Sequence, residues 1–273
     1  MSDKNTPARN IRLTLEYDGT RYAGWQCQNH KSPSGSRRTG KTIQSTIEKA
    51  LARVVREKVK LTAAGRTDAG VHARAQVANF QTRSAIPASK FPRAINAFLP
   101  KDILVTSAQE ERPDFNSCRD AKSKIYRYAI LNQEFHNAAL RHHTYFCPYK
   151  LDVGLMRQEA KVLLGRHNFR SFCASASSAR NMARTIKRIS IKKCLHEFPA
   201  VLAEPRRLPL VIIEVEADGF LYNMMRNIAG TLVELGRGRF RRGDIKRILS
   251  SRDRRAAGPT LPASGLTLMQ VKY

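Results

Sequence analysis

Residues 59–81 read VKLTAAGRTDAGVHARAQVANFQ. Val59 to Ala64 and Ala75 to Gln81 each read as a strand. Between them lies Gly65-Arg66-Thr67-Asp68-Ala69-Gly70-Val71-His72-Ala73-Arg74. Hairpin connections usually take about two to five residues, so this linker is too long to be only a turn. It holds two glycines, one carboxylate and two arginines. Gly65 and Gly70 are expected to take positive φ, which lets a backbone approach a ligand closely. Asp68 stands between them. Its reference pKa of about 3.9 leaves it ionised at neutral pH, so it needs no general base to act as a nucleophile. On composition alone three other readings stay open. A phosphate cradle lacks the Gly-Lys-Ser/Thr ending. A metal site would have only Asp68 and His72. A structural turn would use Asp68 to cap a following helix, with His72 as a packed or hydrogen-bonded histidine.

The chain on either side mixes the two periodicities. Ile11, Leu13, Leu15 and Tyr17 alternate and predict a half-buried strand ended by Asp18-Gly19. Ile43, Ile47, Leu51 and Val54 fall on one helical face and predict a helix over 42–57. Residues 29–41, NHKSPSGSRRTGK, are polar and basic and predict a mobile loop. A short helix is expected over 90–98 and a strand over 103–109. A strand over 124–132 puts Tyr126, Tyr128 and Ile130 on one face. Further expectations are a helix over 152–164, strands over 186–194 and 210–215, helices over 221–235 and 244–249, and a closing strand over 266–272. Without strict βαβα alternation, this pattern predicts an α+β fold with a largely antiparallel sheet. The halves divide at 1–112 and 113–273, each a strand–helix–strand–strand set.

Of 273 residues, 49 are Lys or Arg and 22 are Asp or Glu, a formal net charge of +27. Such an excess repels itself unless a polyanion neutralises it, and phosphates reward distributed Arg and Lys. The hydrophobic fraction of 42% suits a globular chain rather than a disordered one. No stretch approaches the roughly 20 apolar residues that span a bilayer, and no basic amphipathic helix or lipidation signal points to a membrane surface. The polar stretch 1–10 has no apolar h-region, so a cytoplasmic location is expected. Five scattered cysteines, Cys27, Cys118, Cys147, Cys173 and Cys194, form no C-x-x-C pair and suit a reducing compartment. Basic residues cluster at Arg37, Arg38 and Lys41. They cluster again through Arg180, Arg184, Lys187, Arg188, Lys192 and Lys193, and from Arg237 to Arg255. Such sets can track an RNA backbone without reading its sequence.

The string GRTDAGVHA at 65–73 resembles the signature of the TruA family of tRNA pseudouridine synthases. Glu16-Tyr17-Asp18-Gly19 with Tyr22, Gly24, Trp25 and Gln26, and Ile95-Asn96-Ala97 with Leu99-Pro100 and Asp102, are similar to that family's pattern. So are Tyr126-Arg127-Tyr128, His167-Asn168-Phe169, Phe220, Met225-Arg226-Asn227 with Gly230, and Gly265-Leu266. The resemblance runs over about residues 10–273.

It implies two ferredoxin/RRM-like halves with a central sheet, flanking helices and an RNA-binding cleft. It implies an isomerase that converts uridine to pseudouridine at positions 38, 39 and 40 of the tRNA anticodon stem-loop. No cofactor and no metal are implied, and the working form is a homodimer. Asp68 falls on the essential aspartate, Tyr126 on the tyrosine that packs on the target base, and Arg226 on the basic residue that pairs with the aspartate. Arg66 matches an arginine that holds the flipped nucleotide's place, and Leu266 an apolar pocket residue. The sequence departs from the family's usual pattern between Phe115 and Arg119 and at Thr267. The rival readings are a non-catalytic tRNA-binding or RNA-folding protein on the same fold, and a basic ribosome-assembly protein. The latter explains the charge but not the long loop.

Overall fold

The computed structural model describes residues 8–26, 40–175, 177, 179–197 and 207–273. Most of the 29–41 loop, with Arg37, Arg38 and also Cys27, lies outside the described residues. In chain order the elements are β1 (Arg9–Tyr17), α1 (Ile43–Val55), β2 (Thr62–Ala63), β3 (His72–Thr82), α2 (Phe91–Asn96) and β4 (Ile103–Glu111). There follow β5 (Ser123–Leu131), β6 (Tyr145–Phe146), α3 (Val153–Ala160), β7 (Gly165–Asn168), β8 (Ala183–Glu197) and β9 (Arg207–Ala217). The last are α4 (Met224–Gly236), α5 (Asp244–Ser251) and β10 (Leu266–Lys272). The chain is α+β. The pairs β1–β3, β1–β4, β2–β3, β5–β9, β7–β8 and β8–β9 are antiparallel, and β5–β6 is parallel. Two compact units emerge: residues 1–122 with 268–273, and residues 123–267.

In the first unit the strand order is β4-β1-β3, with β10 next to β3 and β2 on the side of β3. The alternation of β1 holds: Ile11, Leu13 and Leu15 are fully buried and Tyr17 nearly so. Helix α1 buries Ile43, Ile47, Ala50, Leu51 and Val55, one stripe at helical spacing. Thr42 starts it with a capping box, its Oγ1 accepting from the Ser45 amide at 3.1 Å. Phe91 of α2 meets Phe80 of β3 edge to face, centroids 5.7 Å apart. Buried polar groups pair internally: Asn79 donates to Asn10 Oδ1 at 2.9 Å, and Asn10 donates to the Phe115 carbonyl at 2.8 Å.

In the second unit the order is β5-β9-β8-β7. Tyr128, Ile130, Val211, Ile213, Val215 and Ile191 are buried along the strands. Helix α4 is buried almost all round, as its apolar sequence predicts. Several expected elements differ in extent: the strand expected over 59–64 is only Thr62–Ala63, the one over 75–81 runs from His72 to Thr82, and the one over 210–215 from Arg207 to Ala217. The helix expected over 152–164 stops at Ala160 and tightens into a 3₁₀ turn before Gly165 at φ 90°. Strand β8 runs beyond the expected 186–194 in both directions, because 183–185 find ladder partners in β7 and 195–197 in β9. Among the described residues no helix is long and apolar enough to cross a membrane.

Candidate active site

The 65–71 segment is a loop between short β2 and long β3, and Asp68 lies half-buried on it. No helix follows Asp68, so the helix-capping reading fails; the chain runs on into β3. Positive φ falls on Gly70 at 79° and on Gly24 at 92°, not on Gly65. The Gly65 carbonyl instead accepts from Gln76 Nε2 at 2.9 Å.

What fixes the loop is the segment after β1. A register shift between Leu15 and Tyr17 leaves Tyr17 opposite Ala73. The Tyr17 hydroxyl then meets Thr67 Oγ1 at 2.8 Å, both side chains buried. Burial pushes the Tyr17 hydroxyl up to about 12, against the pull of its hydrogen bonds with Thr67 and Gln76. The Trp25 amide donates to the Thr67 carbonyl at 3.0 Å, and the Val71 amide donates to the Asp68 carbonyl at 3.1 Å. Gly24 and Gly19 are required by space. A Cβ on Gly24 would stand 2.6 Å from the Thr67 carbonyl oxygen, and one on Gly19 2.0 Å from that of Val71. Asp68 is thus flanked by Thr67 and Val71, both tied to the 17–25 segment. Arg66, one step earlier, is exposed. His72 is buried, its Nδ1 3.2 Å from both the Gly19 amide and Asp18 Oδ1. The packed, hydrogen-bonded reading of this histidine fits that position.

Tyr126, Arg226 and Leu266 belong to the second unit. Tyr126 is buried on β5, and its ring meets Phe220 edge to face with centroids 4.8 Å apart. Phe220 follows β9 and would not stand out as a neighbour of Tyr126 from spacing alone. Arg226 lies in the first turn of α4, whose N-cap Asn223 is left-handed at φ 59°. Its Nε donates to the Leu261 carbonyl at 2.7 Å and its Nη1 to Asn223 Oδ1 at 2.8 Å. Its charge works against the burial that raises the Tyr128 hydroxyl above its ordinary value. A charge on an otherwise apolar helix needs such partners. Leu266 is buried at the start of β10, after Gly265, whose missing side chain leaves room for the Tyr128 ring.

The loop 258–265 is pressed onto α4. A Cβ on Gly230 would fall 1.9 Å from the Pro259 carbonyl oxygen. Fully buried Asn227 donates to the Phe172 carbonyl at 2.8 Å and accepts from Arg254 at 3.0 Å and from the Thr260 hydroxyl. Much of the basic run after α4 is also internally engaged. Arg237 and Arg239 pair with Glu234 at 2.9 and 3.0 Å, Arg247 with Asp244 at 3.1 Å, and Arg255 with Asp253 at 2.8 Å. On β8, Arg188 shares Glu214 with Arg127. Lys187, Lys192 and Lys193 remain exposed along the same strand.

Together these features define an α+β protein with one loop aspartate held by a glycine-dependent backbone clamp, on a strongly basic chain. The model of a family described as tRNA pseudouridine synthase matches residues 14–119 and 160–273, and the chain belongs to that family. Tyr126 falls between the matched segments. A protein named tRNA pseudouridine synthase A from Acetivibrio thermocellus is 45% identical over 265 residues, 97% of this chain and all of its own. One of the same name from Caldicellulosiruptor bescii is 43% identical with the same coverage. Clostridium tetani contributes "tRNA pseudouridine synthase A 2", 43% identical over 97% of this chain and 99% of its own. Among solved structures, that of a Cbf5-Nop10-Gar1 complex aligns with 94% of this chain, which spans 57% of that one, at 12% identity and a TM-score of 0.29.

Proposed function

We infer that this protein isomerises uridine to pseudouridine in tRNA, at positions 38, 39 and 40 of the anticodon stem-loop, with Asp68 as the reacting carboxylate. The family match supports the reaction and substrate class. The backbone clamp around Thr67 and Asp68 is the observation that carries the residue assignment, because a carboxylate needed at one point must be held there.

The net change breaks the N1–C1′ bond, forms a C5–C1′ bond, and exchanges the hydrogen of C5 for one on N1. No electrons are gained or lost, so the atoms balance without a co-reactant. The carboxylate of Asp68 acts at the sugar–base junction: it attacks ribose C1′ or uracil C6, or it stabilises and deprotonates the sugar. The base must first leave the stem, at a cost of a few kcal/mol. In this reading Tyr126 packs its ring on the expelled base, a contact worth about 1–3 kcal/mol at other stacked sites. Its edge-to-face partner Phe220 would hold that ring in one plane. Arg226 supplies the positive charge, Arg66 fills the place of the everted nucleotide, and Leu266 supplies apolar lining. The protein acts as a cytoplasmic homodimer in this reading.

The test incubates the protein with unmodified tRNA and maps pseudouridine by chemical labelling and primer extension. Product at the three stem-loop positions, lost in Asp68→Asn while tRNA binding survives, is expected. A folded wild-type protein that binds tRNA but yields no pseudouridine would support the non-catalytic reading instead.

A further inference from the structure

The first unit carries a second feature outside the Asp68 loop. A groove of about 750 Å³ runs between the outer face of α1 and the turn after α2. Lys41, Lys49 and Arg53 line one side, with Ser45 on the same helical stripe, and Phe98 and Pro100 line the other. Lys49 and Arg53 are one helical turn apart and both exposed, an arrangement in which the two like charges repel. No carboxylate is among the described residues that line the groove. Phe98 is 48% exposed, unusual for a phenylalanine, with the Arg53 guanidinium 5.8 Å from its ring centre. Cations flanking an exposed aromatic ring make the combination that engages single-stranded or splayed RNA.

The groove is also joined to the Asp68 loop by backbone. The Ala23 amide donates to the Lys41 carbonyl at 3.0 Å, and the Ile43 amide at the start of α1 donates to Gly24 at 3.1 Å. Trp25 then donates to Thr67.

Resting on the reading of the protein as a tRNA enzyme, we propose that this groove binds the ribose-phosphate backbone of the substrate tRNA, outside the nucleotide that reacts. Lys41, Lys49 and Arg53 neutralise phosphates, and the ring of Phe98 receives a base or sugar face. The groove fixes where the RNA strand lies relative to the Asp68 loop, and contributes affinity rather than chemistry.

The test measures binding of unmodified tRNA to the full chain by fluorescence anisotropy over a series of salt concentrations. Lys49→Gln/Arg53→Gln removes two charges at exposed positions and keeps good helix formers there. It is expected to raise Kd roughly tenfold or more at low salt and to lower the slope of log K against log salt by about 2, one for each lost phosphate contact. Phe98→Ala is expected to weaken binding without changing that slope, and unchanged binding there removes the stacking contact from the proposal. Unchanged Kd and slope in a Lys49→Gln/Arg53→Gln protein with wild-type melting overturn it. So does an equal loss in Lys58→Gln/Lys60→Gln, which removes two exposed cations from outside the groove. The readout needs no turnover. If the wild type makes no pseudouridine yet loses affinity through the groove substitutions, the catalytic reading falls and the groove stands.

Discussion

Gly24 and Thr67 touch backbone to backbone: a single methyl group on Gly24 would sit 2.6 Å from the Thr67 carbonyl oxygen. Gly24 also holds φ at 92°, a conformation costly for any other residue. Gly24→Ala therefore either moves the Asp68 loop or strains the 22–25 turn. The expected result is a fall in single-turnover rate of about 100-fold, the scale on which an ångström of misplacement acts, with a smaller change in tRNA affinity. Rapid-quench assay and parallel binding measurements check it.

Tyr17 makes a prediction in pH. Its hydroxyl is raised from 10.0 to about 12 in the folded protein. A raised phenol holds its proton more tightly when folded than unfolded, so the stability it contributes is intact below pH 10. That contribution is lost as pH rises from 10 through 12. Tyr17→Phe should lose part of this alkaline slope, and at pH 7.5 should cost about 1 kcal/mol for the broken bond to Thr67. Urea melts at pH 7.5 and 11 measure both effects.

Glycine to alanine inside a helix normally stabilises by about 1 kcal/mol. At Gly230 the sign should reverse, because the new methyl group meets the Pro259 carbonyl at 1.9 Å and that atom is backbone, not a movable side chain. Overpacking of this kind costs about 1–3 kcal/mol, which outweighs the propensity gain. A lowered urea midpoint for Gly230→Ala is the expected outcome; a raised one would show that the 258–265 loop yields freely.

Asn227 is fully buried and serves three partners. Asn227→Ala leaves Arg254 and the Phe172 carbonyl without it, each unmet group costing about 1–3 kcal/mol. The protein should lose at least 2 kcal/mol in denaturant melts. Asn227→Asp, able to accept from Arg254 and Thr260 but not donate to Phe172, should fall between the two.

Periodic segments are legible in the sequence itself. Ile11, Leu13 and Leu15 show period two and Ile43, Ile47 and Leu51 show one helical face, and all are buried. Burial of a repeated face is a local property that spacing reports directly. The Asp68 loop was recognisable from residues 65–73, but its support was not. Gly24 and Tyr17 reach Thr67 only because β1 and β3 lie side by side, with a register shift that no spacing encodes. The same limit applies to Glu234. Its pair with Arg237 is an ordinary i,i+3 spacing, but Arg239 lies past the end of α4, where helical spacing no longer reports a neighbour, so the charge run after α4 is less free than its sequence suggests.

Tyr273 closes the first unit. Its hydroxyl donates to the Ser117 carbonyl at 2.9 Å, its ring lies 5.1 Å from that of Phe115, and Arg12 sits 5.5 Å above it. Residues 268–273 thus complete a unit whose other residues precede position 123. On the ribosome, the first 122 residues emerge without their last strand and wait while everything from 123 to 267 is translated. The exposed flank of β3 is a template for wrong partners during that interval. A nascent chain stalled between 123 and 267 should be protease-sensitive in the unit that lies before position 123.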